Sequence, residues 1–269
     1  MGKLYIWSGA GNSFVVLDGR GIDAGEFRAP AAIGSLCREH GTDGLMILGG
    51  PCSQGSDFSM EFYNPDGSGG MMCGNGGRCI AAFADYLGIP PHDDRFVFDA
   101  PDGRHDAYIL ERTSPSRWTV RLRMVDVGGV QEMPDGLFLD TGTRHFVKFV
   151  PDVEEVDVET EGRAIRWREV FSPTGTNVNF VSCLPDGLHV RTFEKGVEGE
   201  TLACGTGLTA SAIAAWYNGR ISPETAGDGR VKIKLKARRD WLEVDFLPTH
   251  EGGFAEVFLT GPAELLASI

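Results

Sequence analysis

Two cysteines of this 269-residue chain occupy similar positions, each at the start of a helical pattern. Cys73 stands in the glycine-rich run Met71-Met72-Cys73-Gly74-Asn75-Gly76-Gly77-Arg78-Cys79, and Cys204 stands in Ala203-Cys204-Gly205-Thr206-Gly207. At the first turn of a helix, exposed backbone N–H groups and the helix dipole favour a thiolate and attract an anionic ligand. Because the two cysteines are about half the chain apart, we predict two related halves that each present one cysteine to a shared site.

Paired thiols suit one reaction class, in which a proton leaves one face of a carbon and another proton is added to the opposite face. One sulfur acts as the thiolate base and the other as the thiol acid, and both need pKa values near the working pH. Donors at two helix N-termini would hold the charge of a carbanion beside a carboxylate. The chain has no GxxxxGK[ST] motif and no recognisable pyridoxal phosphate lysine, so we expect no cofactor. The alternative is that both cysteines only fill space at helix starts.

His145 and Glu194 are the ionisable residues that the sequence places best for adjusting the two thiols. Each has a plainer alternative: a strand histidine with a structural hydrogen bond, and a solvated carboxylate in a turn. The other histidines have no supporting context and are expected to be structural or on the surface.

The composition argues against several classes of partner. A formal net charge of −13 disfavours binding to nucleic acid or to an anionic membrane, although Arg78, Arg144 and Lys195 remain candidates for contacts with carboxylates. We find no basic leader and no run of about 18 apolar residues, so we expect a cytoplasmic protein. The six cysteines form no CxxC pair, and we expect no metal site. The four cysteines outside the candidate site are expected to be buried, namely Cys37, Cys52, Cys79 and Cys183.

Strands dominate the predicted secondary structure, with one long helix central to each half. Gly9-x-Gly11 resembles the start of a dinucleotide-binding loop, but a strand follows where a helix is required, so we predict a tight turn that displays Asn12. We predict one half at residues 1–115, a second at 116–250, and a terminal segment at 251–269 that returns to the first half. The boundary between the halves is expected at Ser114-Pro115-Ser116.

These motifs, which extend along nearly the whole chain, resemble those of the diaminopimelate epimerases. The Cys-Gly-Asn-Gly-x-Arg-Cys element is the most specific, because the proline racemases, which are similar in fold, usually have histidine where this chain has Asn75. The matching segments are Gly11-Asn12-Ser13-Phe14-Val15-Val16, Asp43-Gly44, Asn64-x-Asp66-Gly67, the run from Met72 to Cys79, Asn177-Val178-Asn179-Phe180 and Glu200-Thr201-x-x-Cys204-Gly205-Thr206-Gly207.

The resemblance implies an α+β fold of two pseudo-symmetric halves, each a curved, mostly antiparallel β-sheet wrapped around a central helix. It implies a homodimer that interconverts LL- and meso-2,6-diaminopimelate without pyridoxal phosphate, in lysine and peptidoglycan precursor synthesis. Carried over by position, Cys73 and Cys204 are the acid/base thiols, and His145 and Glu194 modulate them. The residues expected to contact the amino-acid substrate are Asn12, Gly44, Asn64, Gly74, Asn75, Thr143, Asn177, Glu194, Lys195, Gly205 and Thr206.

The chain departs from the family pattern at three places. Ser13 stands where the family commonly has Asp, and Thr143-Arg144 stands where it commonly has Asn-Pro before the histidine. Lys195 replaces the arginine expected to pair with a substrate carboxylate, which keeps the charge but loses the bidentate fork. One interpretation is that Arg144 restores a guanidinium nearby. The competing hypotheses are a proline or hydroxyproline racemase of the same fold, a dithiol redox protein and a non-catalytic amino-acid binding protein.

Overall fold

A computed structural model describes residues 3–70, 73–222 and 227–269 of the chain. Met71 and Met72, which open the glycine-rich run before Cys73, lie outside these residues. The chain forms two compact units: unit 1 contains residues 1–122 and 261–269, and unit 2 contains residues 123–260. The α+β class predicted from the sequence is confirmed.

The secondary structure follows the chain in this order. The strands are β1 (Leu4–Gly9), β2 (Asn12–Asp18), β3 (Leu45–Gly49), β4 (Phe58–Tyr63), β5 (Phe96–Ala100), β6 (Gly103–Ser114), β7 (Arg117–Arg123), β8 (Gln131–Met133), β9 (Gly136–Asp140), β10 (Arg144–Phe149), β11 (Asn177–Leu184), β12 (Gly187–Glu194), β13 (Gly199–Thr201), β14 (Val231–Lys236), β15 (Trp241–Pro248) and β16 (Phe254–Ser268). The α-helices are α1 (Pro30–His40), α2 (Gly74–Tyr86), α3 (Val158–Arg166) and α4 (Gly205–Tyr217).

The described strands of unit 1 close into a ring of eight around α2. Strands β1 to β7 pair in chain order, and the end of β16 pairs with both β7 and β1, which completes the ring. Helix α2 is buried from Gly74 to Ala84, as expected for a helix enclosed by a sheet. Phe83 of this helix lies 5.9 Å, between ring centroids, from Trp7 of β1.

Glycine lets the first turn of α2 lie directly against β1. A Cβ atom added at Gly9, the last residue of β1, would stand only 2.6 Å from the carbonyl oxygen of Asn75 and 3.0 Å from the sulfur of Cys79. The hairpin that follows turns at Ala10 and Gly11, both with positive φ. It brings Asn12 back to the same end of the ring of strands. The predicted tight turn before Asn12 is therefore present.

Unit 2 is built on a sheet with a different helix on each face. Its described strands run in the order β16-β15-β14-β12-β11-β10-β9-β8, with β13 paired to β12. One face packs on α3 through an apolar cluster that includes Phe146, Phe180 and Ile165. Because side chains alternate along a strand, the neighbouring residues His145 and Asn179 point to the opposite face, where α4 lies. Helix α4 is buried over nearly all of its length.

Two predictions about cysteine burial are wrong. Cys37 and Cys79 are buried as expected, but Cys52 and Cys183 are exposed. Cys52 lies in the polar turn between β3 and β4, and Cys183 is the last residue but one of β11, beyond the buried part of that strand. Connecting segments run over the protein surface, so a cysteine in or next to one can face solvent.

Ser114-Pro115-Ser116 forms the turn between β6 and β7, and the division between the compact units falls after Leu122, seven residues beyond the boundary expected after Pro115. Within residues 3–70, 73–222 and 227–269, no helix has the length and apolar character needed to cross a membrane.

Candidate active site

Cys73 is the N-cap residue of α2, where a side chain can accept a hydrogen bond from the N–H groups of the first turn, which have no acceptor within the helix. Its sulfur accepts one from the Gly76 N–H at 3.2 Å. At Gly76 a Cβ atom would lie 3.2 Å from Met46 Sδ and 3.4 Å from Cys73 Sγ, so glycine leaves room for the sulfur beside the helix axis. A donor N–H and the positive end of the helix dipole both favour the thiolate.

Arg78 lies one turn along α2 and is completely buried. Its guanidinium donates to the Gly74 carbonyl at 3.1 Å, to the Pro262 carbonyl at 3.3 Å and to Asn75 Oδ1 at 2.9 Å. The suggestion that Arg78 contacts a ligand carboxylate is therefore wrong. The burial of α2 directs this side chain into the protein, where it holds the first turn of the helix.

Asn75 and Asn12 form a chain of amides that begins at this guanidinium. Because Asn75 Oδ1 accepts from Arg78, its NH2 group faces Asn12 and donates to Asn12 Oδ1 at 2.7 Å. Asn12 in turn donates to Asp43 Oδ2 at 3.3 Å, and the same oxygen accepts the Ser13 N–H at 2.9 Å. The orientation of the Asn12 amide is thus set by a cation at one end and a carboxylate at the other.

Gly44 and Asn64 lie at the neighbouring end of β4. A Cβ atom at Gly44 would be 2.7 Å from the Tyr63 carbonyl oxygen, so this position needs glycine for close packing. Asn64 follows β4 directly, and its side-chain NH2 donates to Ser68 Oγ at 3.0 Å within the next turn. The structure therefore places Asn64 in a turn that its own side chain stabilises.

Cys204 is the N-cap residue of α4 and is buried. Its sulfur lies 3.4 Å from the hydroxyl oxygen of Thr206. The carbonyl oxygen of Thr206 accepts a hydrogen bond from the Thr141 hydroxyl at 3.0 Å, which ties the helix start to the turn after β9. Gly205, which lies between Cys204 and Thr206, is buried.

His145 reaches Cys204 through Thr206. Its Nε2 atom lies 2.9 Å from the hydroxyl oxygens of both Thr143 and Thr206. Burial lowers the pKa of His145 to about 3, so the imidazole is neutral near pH 7. Helix α4 can pack this closely because residue 207 is glycine: a Cβ atom there would stand 2.4 Å from Asn179 Oδ1 and 3.3 Å from His145 Cε1.

Asn179 determines which imidazole nitrogen of His145 carries the hydrogen. The Asn179 NH2 group donates to the Phe146 carbonyl at 3.3 Å and its oxygen accepts from the Thr192 hydroxyl at 2.9 Å, which fixes the orientation of the amide. The same NH2 group lies 3.0 Å from His145 Nδ1, so Nδ1 is the acceptor. The hydrogen is therefore on Nε2, which points to the two threonine hydroxyls.

Glu194, Lys195 and Asn177 lie around the end of β12. Asn177 donates to the Arg144 carbonyl at 3.0 Å and accepts the Lys195 backbone N–H at 2.7 Å. Lys195 is exposed. Glu194 Oε2 accepts a hydrogen bond from the Thr201 hydroxyl at 2.9 Å, which joins it to β13.

Arg144 does not place a guanidinium beside Glu194, Lys195 and Asn177. Its guanidinium lies over the Phe138 ring, 5.3 Å from the centroid, among the side chains on the α3 face. Neighbouring residues of a strand point to opposite faces, so Arg144 turns away from α4 when His145 faces it. The interpretation that Arg144 restores a guanidinium near Lys195 is therefore wrong. The alternation of side chains along β10 already indicated that Arg144 and His145 point to opposite faces.

Asn179 belongs to this cluster, although the sequence assigned it no role. It is completely buried and contacts His145 directly. A signal for it existed, because Asn177 and Asn179 stand at alternate positions of one strand and so share a face. A hydrogen bond to one ring nitrogen of a histidine sets which nitrogen carries the hydrogen.

Comparisons with known proteins agree across the chain. A family model described as diaminopimelate epimerase matches residues 137–246. The diaminopimelate epimerase of Flavobacterium psychrophilum is 38% identical over 268 residues, which cover 98% of each chain. The diaminopimelate epimerase of Aquifex aeolicus is 39% identical and is covered to 91%, with 94% of this chain matched.

Solved structures share the fold at low sequence identity. A phenazine biosynthesis protein of the PhzF family from Bacillus anthracis has a TM-score of 0.74 at 12% identity, covering 99% of this chain and 97% of that one. A hydroxyproline epimerase from Agrobacterium vitis has a TM-score of 0.68 at 15% identity, covering 100% of this chain and 91% of that one. At such identities the similarity concerns the fold alone.

Proposed function

The chain belongs to the diaminopimelate epimerase family, and we propose that it interconverts LL- and meso-2,6-diaminopimelate with Cys73 and Cys204 as its two acid/base thiols. One observation carries the assignment of the thiols: each unit contains a buried helix whose N-cap residue is a cysteine. An N-cap sulfur next to the N–H groups of the first helical turn is suited to hold negative charge.

The reaction needs one thiolate and one thiol at its start. The thiolate takes the proton from the α-carbon, so an S–H bond forms and the C–H electron pair stays on carbon, delocalised into the carboxylate. The thiol gives its proton to the opposite face of that carbon and becomes the thiolate. The substrate leaves inverted, the protonation states of the two sulfurs are exchanged, and this form of the enzyme catalyses the reverse direction.

The charge that develops on the substrate carboxylate requires donors that are already in place. Helix N-termini provide them, and we assign this role to the backbone N–H groups of Gly74 and Asn75 in α2 and of Gly205 and Thr206 in α4. A neutral His145 and the carboxylate of Glu194 complete the proposed set around the thiols. The family resemblance assigns the remaining substrate contacts to Asn12, Gly44, Asn64, Thr143, Asn177 and Lys195.

Lys195 is the proposed partner of a substrate carboxylate away from the reacting carbon. A lysine ammonium provides charge without the two parallel hydrogen bonds of a guanidinium. Lys195→Arg should therefore lower KM for diaminopimelate while leaving kcat nearly unchanged. A lower kcat with constant KM would place the residue in the chemistry instead.

We also assign the enzyme to the cytoplasm and to lysine and peptidoglycan precursor synthesis, as a homodimer. Family membership supports the first two assignments through the substrate. Light scattering during size-exclusion chromatography tests the homodimer, whose mass would be twice the 29.1 kDa of the monomer.

The deciding experiment measures the entry of deuterium at the α-position in heavy water, with LL-diaminopimelate and with proline as separate substrates. We expect exchange with diaminopimelate only, and its loss in Cys73→Ala and in Cys204→Ala. Cys52→Ala, at an exposed cysteine, serves as the matched control and should retain full exchange. Exchange with proline alone would favour a racemase, and full activity of either active-site variant would refute the two-thiol assignment.

A dithiol redox protein makes the opposite prediction about oxidation state. Epimerisation needs both sulfurs reduced, so an oxidant that joins them should abolish exchange and a reductant should restore it. A redox protein would cycle between the two forms during its activity and would show no α-proton exchange with any amino acid.

A further inference from the structure

Two threonine hydroxyls come together next to the sulfur of Cys204. Thr143 lies in the turn before β10 and Thr206 is the second residue of α4, yet their Oγ1 atoms are only 3.1 Å apart. The Thr206 hydroxyl oxygen is 3.4 Å from Cys204 Sγ. Both hydroxyls also lie 2.9 Å from His145 Nε2. Thr143 is thus part of a hydroxyl network that ends on a thiol.

The direction of the hydrogen bonds in this network follows from the hydrogen bond that His145 makes at its end, away from Cys204. His145 Nδ1 accepts from an amide, so Nε2 carries the hydrogen and donates to the hydroxyl oxygens. The Asn177 NH2 group lies 3.5 Å from Thr143 Oγ1 and adds a second donor there. The Thr143 hydroxyl does not donate to Nε2, which already carries a hydrogen. Its acceptor within the network is therefore the oxygen of Thr206.

Thr206 consequently receives hydrogen bonds on its oxygen and directs its own hydrogen at the sulfur of Cys204. A hydroxyl has one hydrogen and can accept two hydrogen bonds, so this arrangement satisfies each member of the network. A hydrogen bond to an ionised acceptor is stronger than one to a neutral acceptor, so the thiolate gains more from it than the thiol does.

We propose that Thr143 is a positioning residue that acts through Thr206 to direct a hydroxyl hydrogen at the Cys204 sulfur and to favour its thiolate form. The family resemblance assigns Thr143 to the substrate, whereas the contacts of its hydroxyl assign it to the thiol. The inference rests on the proposed function for the use made of the thiolate, but the network itself requires no substrate.

The test uses the full-length protein and Thr143→Val, which keeps the shape of the side chain and removes the hydroxyl. Thr143→Ser, which keeps the hydroxyl, is the matched control. Thiolate formation is followed by ultraviolet absorbance as a function of pH, and each curve is corrected by the same variant carrying Cys204→Ala. We expect the midpoint for Thr143→Val to rise by roughly half to one pH unit, and Thr143→Ser to follow the wild type.

An unchanged midpoint in Thr143→Val would overturn the proposal, and a raised KM with that unchanged midpoint would assign Thr143 to substrate binding instead. If Thr143→Val does not fold, Thr143→Ala replaces it, since the position is exposed and tolerates a smaller side chain. The titration requires no turnover. A shifted midpoint in a protein without deuterium exchange would therefore support the network and refute the proposed function.

Discussion

Mild acid should destabilise this protein through His145 in particular. Its side chain is 0% exposed and burial lowers its pKa to about 3, whereas an exposed histidine titrates near 6.5. Between those two values the unfolded chain binds one more proton at this residue than the folded chain does. The stabilising contribution of the neutral imidazole is therefore fully present above about pH 6.5 and is lost as the pH falls towards 3.

The size of the effect follows from proton linkage. One proton of difference between the two states changes the free energy of unfolding by about 1.4 kcal/mol per pH unit. Between about pH 6 and about pH 4, His145 should account for roughly 2 to 3 kcal/mol of lost stability. Carboxylates such as Asp135, whose pKa is lowered by its hydrogen bond from Arg168, add losses of the same sign, so a variant is needed to isolate the histidine.

The assay is urea unfolding at a series of pH values for the wild type and for His145→Gln. Glutamine retains an N–H donor near the Nε2 position and does not titrate. The two plots of unfolding free energy against pH should run parallel above about pH 7 and converge or cross below it, because only the wild type takes up the extra proton on unfolding. The comparison uses the slopes of the two plots, so a loss of stability that is the same at every pH does not affect it. Plots that stay parallel down to about pH 4 would refute the argument.

Three further outcomes can be checked on the same protein. Gly207→Ala should lower the free energy of unfolding by about 1 to 3 kcal/mol in urea titrations because the new Cβ atom would stand 2.4 Å from Asn179 Oδ1, whereas Gly128→Ala, in open space, should have little effect. Arg78→Met should cost about 3 kcal/mol or more by the same measurement, since buried acceptors lose their donors, and near-wild-type stability would contradict this. In native protein, iodoacetamide should label Cys52 rapidly and spare Cys79, whose pKa is raised by burial; equal labelling by mass spectrometry would contradict the fold.

The sequence determines the features of the candidate site that depend on local chain geometry. A cysteine followed by glycine and an apolar helical pattern becomes an N-cap residue in both units, because the residues that decide a helix start lie within one turn of it. The hairpin before Asn12 is local in the same sense, since two residues with positive φ set its turn. Strand alternation likewise decides that Arg144 and His145 point to opposite faces.

Only the tertiary structure decides where the partners of these residues come from. The tautomer of His145 depends on Asn179, which belongs to another strand, and its pKa depends on burial by a helix that begins 60 residues later. Likewise, Arg78 holds a helix start instead of facing a ligand because its acceptors include the Pro262 carbonyl near the other end of the chain. Burial and long-range hydrogen bonding are sums over distant segments, so no local pattern contains them. The cysteines at the helix starts can be read from the chain itself, whereas the hydrogen-bonded neighbours that adjust them exist only in the folded protein.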